Sequence, residues 1–98
     1  MKLSSSQKRY LRGLTHHINP VVMVGEKGLS ENVLAEIANA LDHHELIKVR
    51  LRSDRQTRYA QSLEIAENCD ASMVHQIGQV SCYFRRNKKH PVIELPGA

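Results

Sequence analysis

The chain has no tryptophan and a single phenylalanine among its 98 residues, so any core must be built from aliphatic side chains. No apolar run is longer than the four residues Val21 to Val24. A membrane-spanning helix needs about 20 apolar residues and the core of a secretory leader about 7 or more, so neither is expected and the protein is placed in the cytoplasm. The two cysteines, Cys69 and Cys82, form no CxxC and no cluster with histidine. Without an export signal they are expected as reduced, buried thiols. Glycine and proline are sparse, at 5 and 3 residues, and no repeat or low-complexity stretch divides the chain. Residues 1–98 are therefore expected to form one domain around one core.

What is present is charge arranged in blocks. The net charge is +4. Residues 1–25 carry Lys2, Lys8, Arg9 and Arg12 without an acid, whereas residues 26–45 carry Glu26, Glu31, Glu36, Asp42 and Glu45 against Lys27. Residues 48–58 return to positive with Lys48, Arg50, Arg52, Arg55 and Arg58 against Asp54. Three further acids, Glu64, Glu67 and Asp70, precede Arg85, Arg86, Lys88 and Lys89. A fold that gathers the basic blocks gives one side a strong positive potential while the total stays modest.

Periodicity predicts three helices and four strands. Ser4-x-x-Gln7 matches a capping box and opens a first helix with Tyr10, Leu11, Leu14 and Ile18 as its buried stripe. Asn19-Pro20 ends it, because a residue before proline is displaced from helical angles. Val21 to Val24 is then a strand. Its continuous apolarity predicts burial on both faces at the centre of a sheet. Ser30 is the expected N-cap of a second helix with Val33, Leu34, Ile37, Ala38 and Leu41 inward and His43-His44 in its last turn. "LIKVRLR" alternates, with Ile47, Val49 and Leu51 toward the core and Lys48, Arg50 and Arg52 away from it. Ser53-x-x-Gln56 is a second capping box, and its helix is expected to turn Tyr59, Ala60, Leu63, Ala66 and Cys69 inward. "SMVHQI" and "VSCYFR", joined at Gly78-Gln79, form a hairpin, and "PVIELP" an extended tail. The order α-β-α-β-α-β-β predicts an α/β domain with a four-stranded mixed sheet, parallel across the two crossover helices and antiparallel in the hairpin.

The chemistry concentrates at Gly25-Glu26-Lys27-Gly28, where the first strand feeds the second helix. A glycine loop at a helix start presents unpaired N–H groups with the helix dipole behind them, which suits a phosphate. In KH domains a GxxG loop clamps the nucleic-acid backbone in this way. The plainer reading is a tight turn with no ligand. Leu29 after Gly28 excludes a Walker loop, and the missing third glycine excludes a dinucleotide fingerprint. No pairing of nucleophile, base and oxyanion donors stands out, so neither an enzyme nor a small-molecule substrate is expected. Adjacent histidines on a helix diverge by about 100°, so His16-His17 and His43-His44 share no ion locally, and no metal or cofactor is expected.

Residues 3–51, with "VGEKGLS" at 24–30 and "HELIKVR" at 44–50, together with the later "IGQVSCYFRR" and "IELP", resemble the CRM domain, the chloroplast RNA splicing and ribosome maturation module. The similarity spans nearly the whole chain and is to the stand-alone bacterial, YhbY-like form. It implies an RNA-binding fold similar to the C-terminal domain of translation initiation factor 3. It also implies association with precursors of the large ribosomal subunit, and hence a role in ribosome assembly. Carried over by position, the RNA-contacting loop is Gly25, Glu26, Lys27 and Gly28, with Glu26 replacing a neutral or basic residue often found there.

Within that reading Lys48, Arg50 and Arg52 track an extended RNA backbone, the alternative being the protective charges of an edge strand. Lys8, Arg9, Arg12, Arg85 and Arg86 extend the footprint or form ordinary solvated surface. Tyr83 shares its strand parity with Arg85 and either stacks on an unpaired base or belongs to a second core. The expected protein is a monomer that binds ribosomal RNA and assists assembly of the large subunit, away from membranes. Two other classes fit the same charges: an architectural protein on duplex DNA, and a scaffold for an acidic ribosomal protein or assembly factor.

Overall fold

The computed structural model describes residues 2–97. The Ser4 box forms as expected: Ser4 Oγ accepts from the Gln7 N–H and Gln7 Oε1 from the Ser4 N–H, and α1 (Ser5–Leu14) follows. A 3-10 turn at Thr15–His17 closes it, and Ile18 is already extended ahead of Asn19-Pro20. The buried line of α1 is Gln7 and Leu11, continued by Leu3 before it and Thr15 after it. Tyr10, one residue out of phase with that line, turns away and is exposed, contrary to its expected place in the stripe.

Then come β1 (Pro20–Val24), α2 (Glu31–His44), β2 (Leu46–Leu51), α3 (Arg55–Asn68), β3 (Ser72–Ile77) and β4 (Val80–Phe84). The sheet order is β1-β2-β4-β3. β1 and β2 are parallel across α2, and β4 is antiparallel to both β2 and β3. The mixed four-stranded sheet is thus as expected, with one difference in pairing. The crossover through α3 leads to a strand that runs in the direction of β2 but does not touch it, because β4 inserts between them.

Helices cover both faces. On one, Val22, Val24, Ile47, Val49, Leu51 and Tyr83 pack under Ile37 and Leu41 of α2 and Ile65 and Cys69 from the α3 side. On the other, Leu46, Val74, Cys82 and Phe84 pack under Leu11, with Leu3 and Leu95. Two expectations fail here. β1 is an edge strand, paired only with β2, and Val21 and Met23 are 48% and 53% exposed. α1 lies over the β3 side of the sheet and leaves this edge uncovered, so the apolar run reflects one buried face and one open one. In α3 the cap is Asp54 rather than Ser53, its carboxylate accepting from the Thr57 N–H and hydroxyl. The inward line is Ser62, Ile65 and Cys69, with Ala66 at its flank, while Tyr59, Ala60 and Leu63 face water. The small Ser62 lets α3 approach the sheet until the Tyr83 hydroxyl donates to the Ser62 carbonyl at 3.2 Å.

The segment after β4 is tied down chiefly by Glu45, with Gln7 donating to the Pro96 carbonyl and Asn87 to the Asp42 carbonyl. Glu45 caps α2 with φ of 62° and is fully buried. Its Oε1 accepts from the N–H groups of Val92 and Ile93, and its Oε2 from that of Asn87, while both oxygens receive the Arg86 guanidinium.

Candidate nucleic-acid interface

Because β1 and β2 are parallel, the connections that leave them emerge at the same end of the sheet. The first is the glycine loop. The Gly28 N–H donates to the Gly25 carbonyl at 3.0 Å, and Gly28 takes a φ of 71° that favours glycine. A Cβ on Gly28 would stand 3.7 Å from Gln61 Nε2, so the loop lies against α3, whereas one on Gly25 meets nothing within 4 Å. The second connection is held beside it: the Arg52 N–H donates to the Val24 carbonyl, the Ser53 hydroxyl to Gln61 Oε1, and the Arg58 guanidinium to the Ser53 carbonyl. The β3–β4 turn joins them through the Leu51 N–H and the Gln79 carbonyl. Three loops and the N-termini of α2 and α3 therefore share one end, outside the carboxyl ends of the parallel strands, where open α/β sheets bind ligands.

Lys27 comes to this end from the loop, Arg52 from the end of β2, and Arg55 and Arg58 from the first turns of α3. Arg50 lies one step inside on the face that α1 leaves open, between Met23 and Val80. Among the described residues none of these five cations forms an ion pair. The carboxylates nearby are Glu26, Glu31 and Asp54. Asp54 is committed to Thr57, whose N–H and hydroxyl hold its pKa below the ordinary value.

The other expected site residues lie elsewhere. Lys48 is half-buried in mid-sheet, and β2 lies between β1 and β4, so its cations do not guard an edge. Lys48 neighbours His75, whose pKa is pushed down by burial and further by the charges of Arg12, His16 and Lys48. Lys8, Arg9 and Arg12 belong to α1, across the opposite face of the sheet from α3, and the Arg12 Nε–H reaches the Val74 carbonyl at 3.5 Å. Arg85 donates to the Cys69 and Ala38 carbonyls and to Asp42, while Arg86 donates to Glu45 and the Ile93 carbonyl and lies over the Phe84 ring. Both guanidinia join elements of the fold at the strand ends opposite the glycine loop. Tyr83 is 0% exposed in the core under α2 and α3, and burial raises the pKa of its phenol, so of the two alternatives it takes a core place, in this core rather than a second one, and is not available for stacking.

Sequence reasoning placed Arg55 and Arg58 in a basic block but not in the site, and gave Tyr59 to the core. The signal was available in their spacing: positions i, i+3 and i+4 share a helix face, and here that face carries two cations and an aromatic ring.

Similar proteins are found along nearly the full chain. The RNA-binding protein of Haemophilus influenzae is 47% identical over 95 residues, covering 96% of this chain and 95% of that one. YqeI of Bacillus subtilis is 33% identical over 95 residues, covering 96% and 99%. The solution structure of SAV1595 from Staphylococcus aureus superposes with a TM-score of 0.83 at 33% identity, covering 97% of this chain and all of that one. Residues 3–85 match the CRS1 / YhbY (CRM) domain, and the chain belongs to that family.

Proposed function

We propose that this chain is an RNA-binding domain that grips the sugar-phosphate backbone of structured ribosomal RNA at its loop end, in precursors of the large ribosomal subunit. The observation that carries this reading is the gathering of Lys27, Arg50, Arg52, Arg55 and Arg58 around the GxxG loop, with no ion-pair partner among the described residues. The names of the similar proteins support RNA as the ligand. The large-subunit context rests on the family resemblance. Capture is electrostatic: released counterions supply most of the affinity, the loop amides and Lys27 set the register of the backbone, and Arg50 and Arg52 continue along it. Lys48 and the basic residues of α1 lengthen the footprint on the open sheet face. Arg85 and Arg86, already engaged within the fold, are not needed for it. The domain acts as a cytoplasmic monomer and carries out no reaction.

Gly25→Asp is the test. Gly25 has open space at its Cβ position and no left-handed φ, so the substitution leaves the fold alone and puts a carboxylate where the phosphate is to lie. Gly28→Asp is a poorer probe, because it adds backbone strain at φ of 71°. The expected result is binding to a ribosomal RNA fragment weakened at least about tenfold, the worth of one lost charge-assisted contact, with the unfolding midpoint unchanged. Undiminished affinity removes the loop from the site. Duplex DNA competing as well as RNA replaces the reading with an architectural one, and cosedimentation with large-subunit particles that survives ribonuclease replaces it with a protein scaffold.

A further inference from the structure

Between the first turns of α3 and the β3–β4 turn, at the same end of the sheet as the glycine loop, is a cavity of about 450 Å³ lined by Arg55, Arg58, Tyr59, Gln76 and Gly78. Arg55, Arg58 and Tyr59 project from one helical face, and Gln76 and Gly78 close the opposite wall. The Tyr59 ring is 59% exposed, although Ser62 and Ile65 on the same helix are completely buried. Among the described residues it belongs to neither core cluster. Arg58 is held at the rim by its donation to the Ser53 carbonyl, 2.7 Å away, so one cation of the wall is fixed in place.

We propose that this cavity is a subsite for one unpaired nucleotide of the bound RNA. The base stacks on the Tyr59 ring, the adjoining phosphate lies against Arg55 and Arg58, and the Gln76 side-chain amide faces the edge of the base. The volume falls within the roughly 300–1,000 Å³ of small-ligand sites. An aromatic ring flanked by guanidinia has the chemistry of a single-stranded nucleic-acid platform, because every base has a face to stack and every nucleotide a phosphate to pair. Gly78, with φ of 54°, turns the chain without a side chain at the mouth. The consequence is a preference that the glycine loop alone does not supply: paired RNA occupies the loop, but RNA with an extruded nucleotide beside the gripped backbone occupies both.

This inference rests on the RNA-binding reading, and the experiment separates the two. Two RNA hairpins of the same length are used, one fully paired and one with a single-nucleotide bulge, with 2-aminopurine at the bulge reporting stacking through quenching. The expected result is tighter binding of the bulged hairpin and quenching on binding. Tyr59→Ala should abolish the quenching and weaken bulged RNA by about tenfold or more while leaving the paired hairpin unchanged. Tyr59→Phe should behave as the parent. The ring is exposed, so neither variant should shift the unfolding midpoint. Binding of both hairpins with equal affinity, or a Tyr59→Ala variant indistinguishable from the parent, overturns the subsite and leaves the loop reading standing. Failure to bind either hairpin overturns both readings together.

Discussion

Replacing Glu45 by Gln keeps the shape of the most connected side chain in the molecule and removes its charge. The carboxylate accepts at 2.8 Å from the Val92 and Ile93 N–H groups, at 2.6 Å from that of Asn87, and at 3.1 Å on both oxygens from Arg86. A glutamine oxygen can keep the Val92 and Ile93 bonds. Its amide nitrogen then faces the Asn87 N–H and Arg86, donors against donors. Breaking a buried ion pair from one side costs about 3–5 kcal/mol. The protein has a second way to accommodate the change, which is to release the segment after β4. That exposes the buried Leu95 and the half-buried Ile93, at about 2–4 kcal/mol of lost burial, offset in part by the entropy the segment regains. The cheaper route sets the outcome, near 3 kcal/mol. At about 4–8 °C per kcal/mol for a domain of this size, the unfolding midpoint falls by about 12–24 °C.

The pH dependence distinguishes this account from a general packing defect. Burial pushes the Glu45 carboxyl up, but the N–H groups of Ile93, Asn87 and Val92 and the Arg86 charge outweigh it, and the pKa lies below the ordinary 4.5. The folded state thus favours the ionised form, so its contribution is complete above the ordinary value and is lost as pH falls through the lowered one. Melts followed by circular dichroism should show the largest gap between parent and Glu45→Gln at neutral pH, closing below about pH 4.5. Amide exchange should accelerate at Asn87, Val92 and Ile93 before the strands. A variant melting within 2 °C or so of the parent at neutral pH, or a gap that persists unchanged in acid, would refute the clasp.

Other consequences are measurable with the same preparations. If Lys27, Arg50, Arg52, Arg55 and Arg58 each neutralise one phosphate, they should contribute about −3.5 to the slope of log K against log salt for single-stranded RNA, or roughly a hundredfold loss between 50 and 200 mM. Lys27→Ala should make that slope shallower by about 0.7, and an unchanged slope places Lys27 outside the contact. Arg85→Ala should destabilise by about 1–3 kcal/mol, since it leaves the Cys69 carbonyl at the end of α3 without its donor and removes the second bond to the Ala38 carbonyl of α2, and should not change RNA affinity. A drop in affinity at full stability would return Arg85 to the interface.

Local signals in the sequence were strong wherever the chain decides its own structure. The Ser4 and Ser30 caps, the α2 stripe and the bounds of β3 are set by residues a few positions apart, and they stand as expected. The errors fall where a distant element decides. "VVMV" has the same apolarity whether a helix covers its second face or water does, and only the placement of α1 over the β3 side makes β1 an open edge. Tyr59 was expected in the core and is exposed, and Tyr83, left open between the two, is buried, for a related reason. A tyrosine is apolar enough for a core and polar enough for a surface, and Ser62, too small to mark a stripe, is the residue that lets α3 close on Tyr83. At the candidate site the glycine loop was legible because its spacing is local. The share of Arg55 and Arg58 in the same end was not, because it depends on two parallel strands finishing together.

The distribution of ion pairs gives the molecule its polarity. Both pairs among the described residues, Arg85 with Asp42 and Arg86 with Glu45, occur where β2 begins and β4 ends. There the acids of α2 and its cap pair with Arg85 and Arg86, and these two guanidinia hold backbone carbonyls instead of reaching outward. At the other end, among the described residues, the carboxylate bonded to a neighbour is Asp54, and its partner is the helix it caps rather than an arginine. Lys27, Arg50, Arg52, Arg55 and Arg58 keep their charge unopposed by contact, and two helix N-termini add their positive ends to it. A net charge of only +4 therefore coexists with an end where the five cations outnumber the carboxylates Glu26, Glu31 and Asp54. In the proposed reading, this difference between the two ends is what turns the loop end toward an approaching RNA strand.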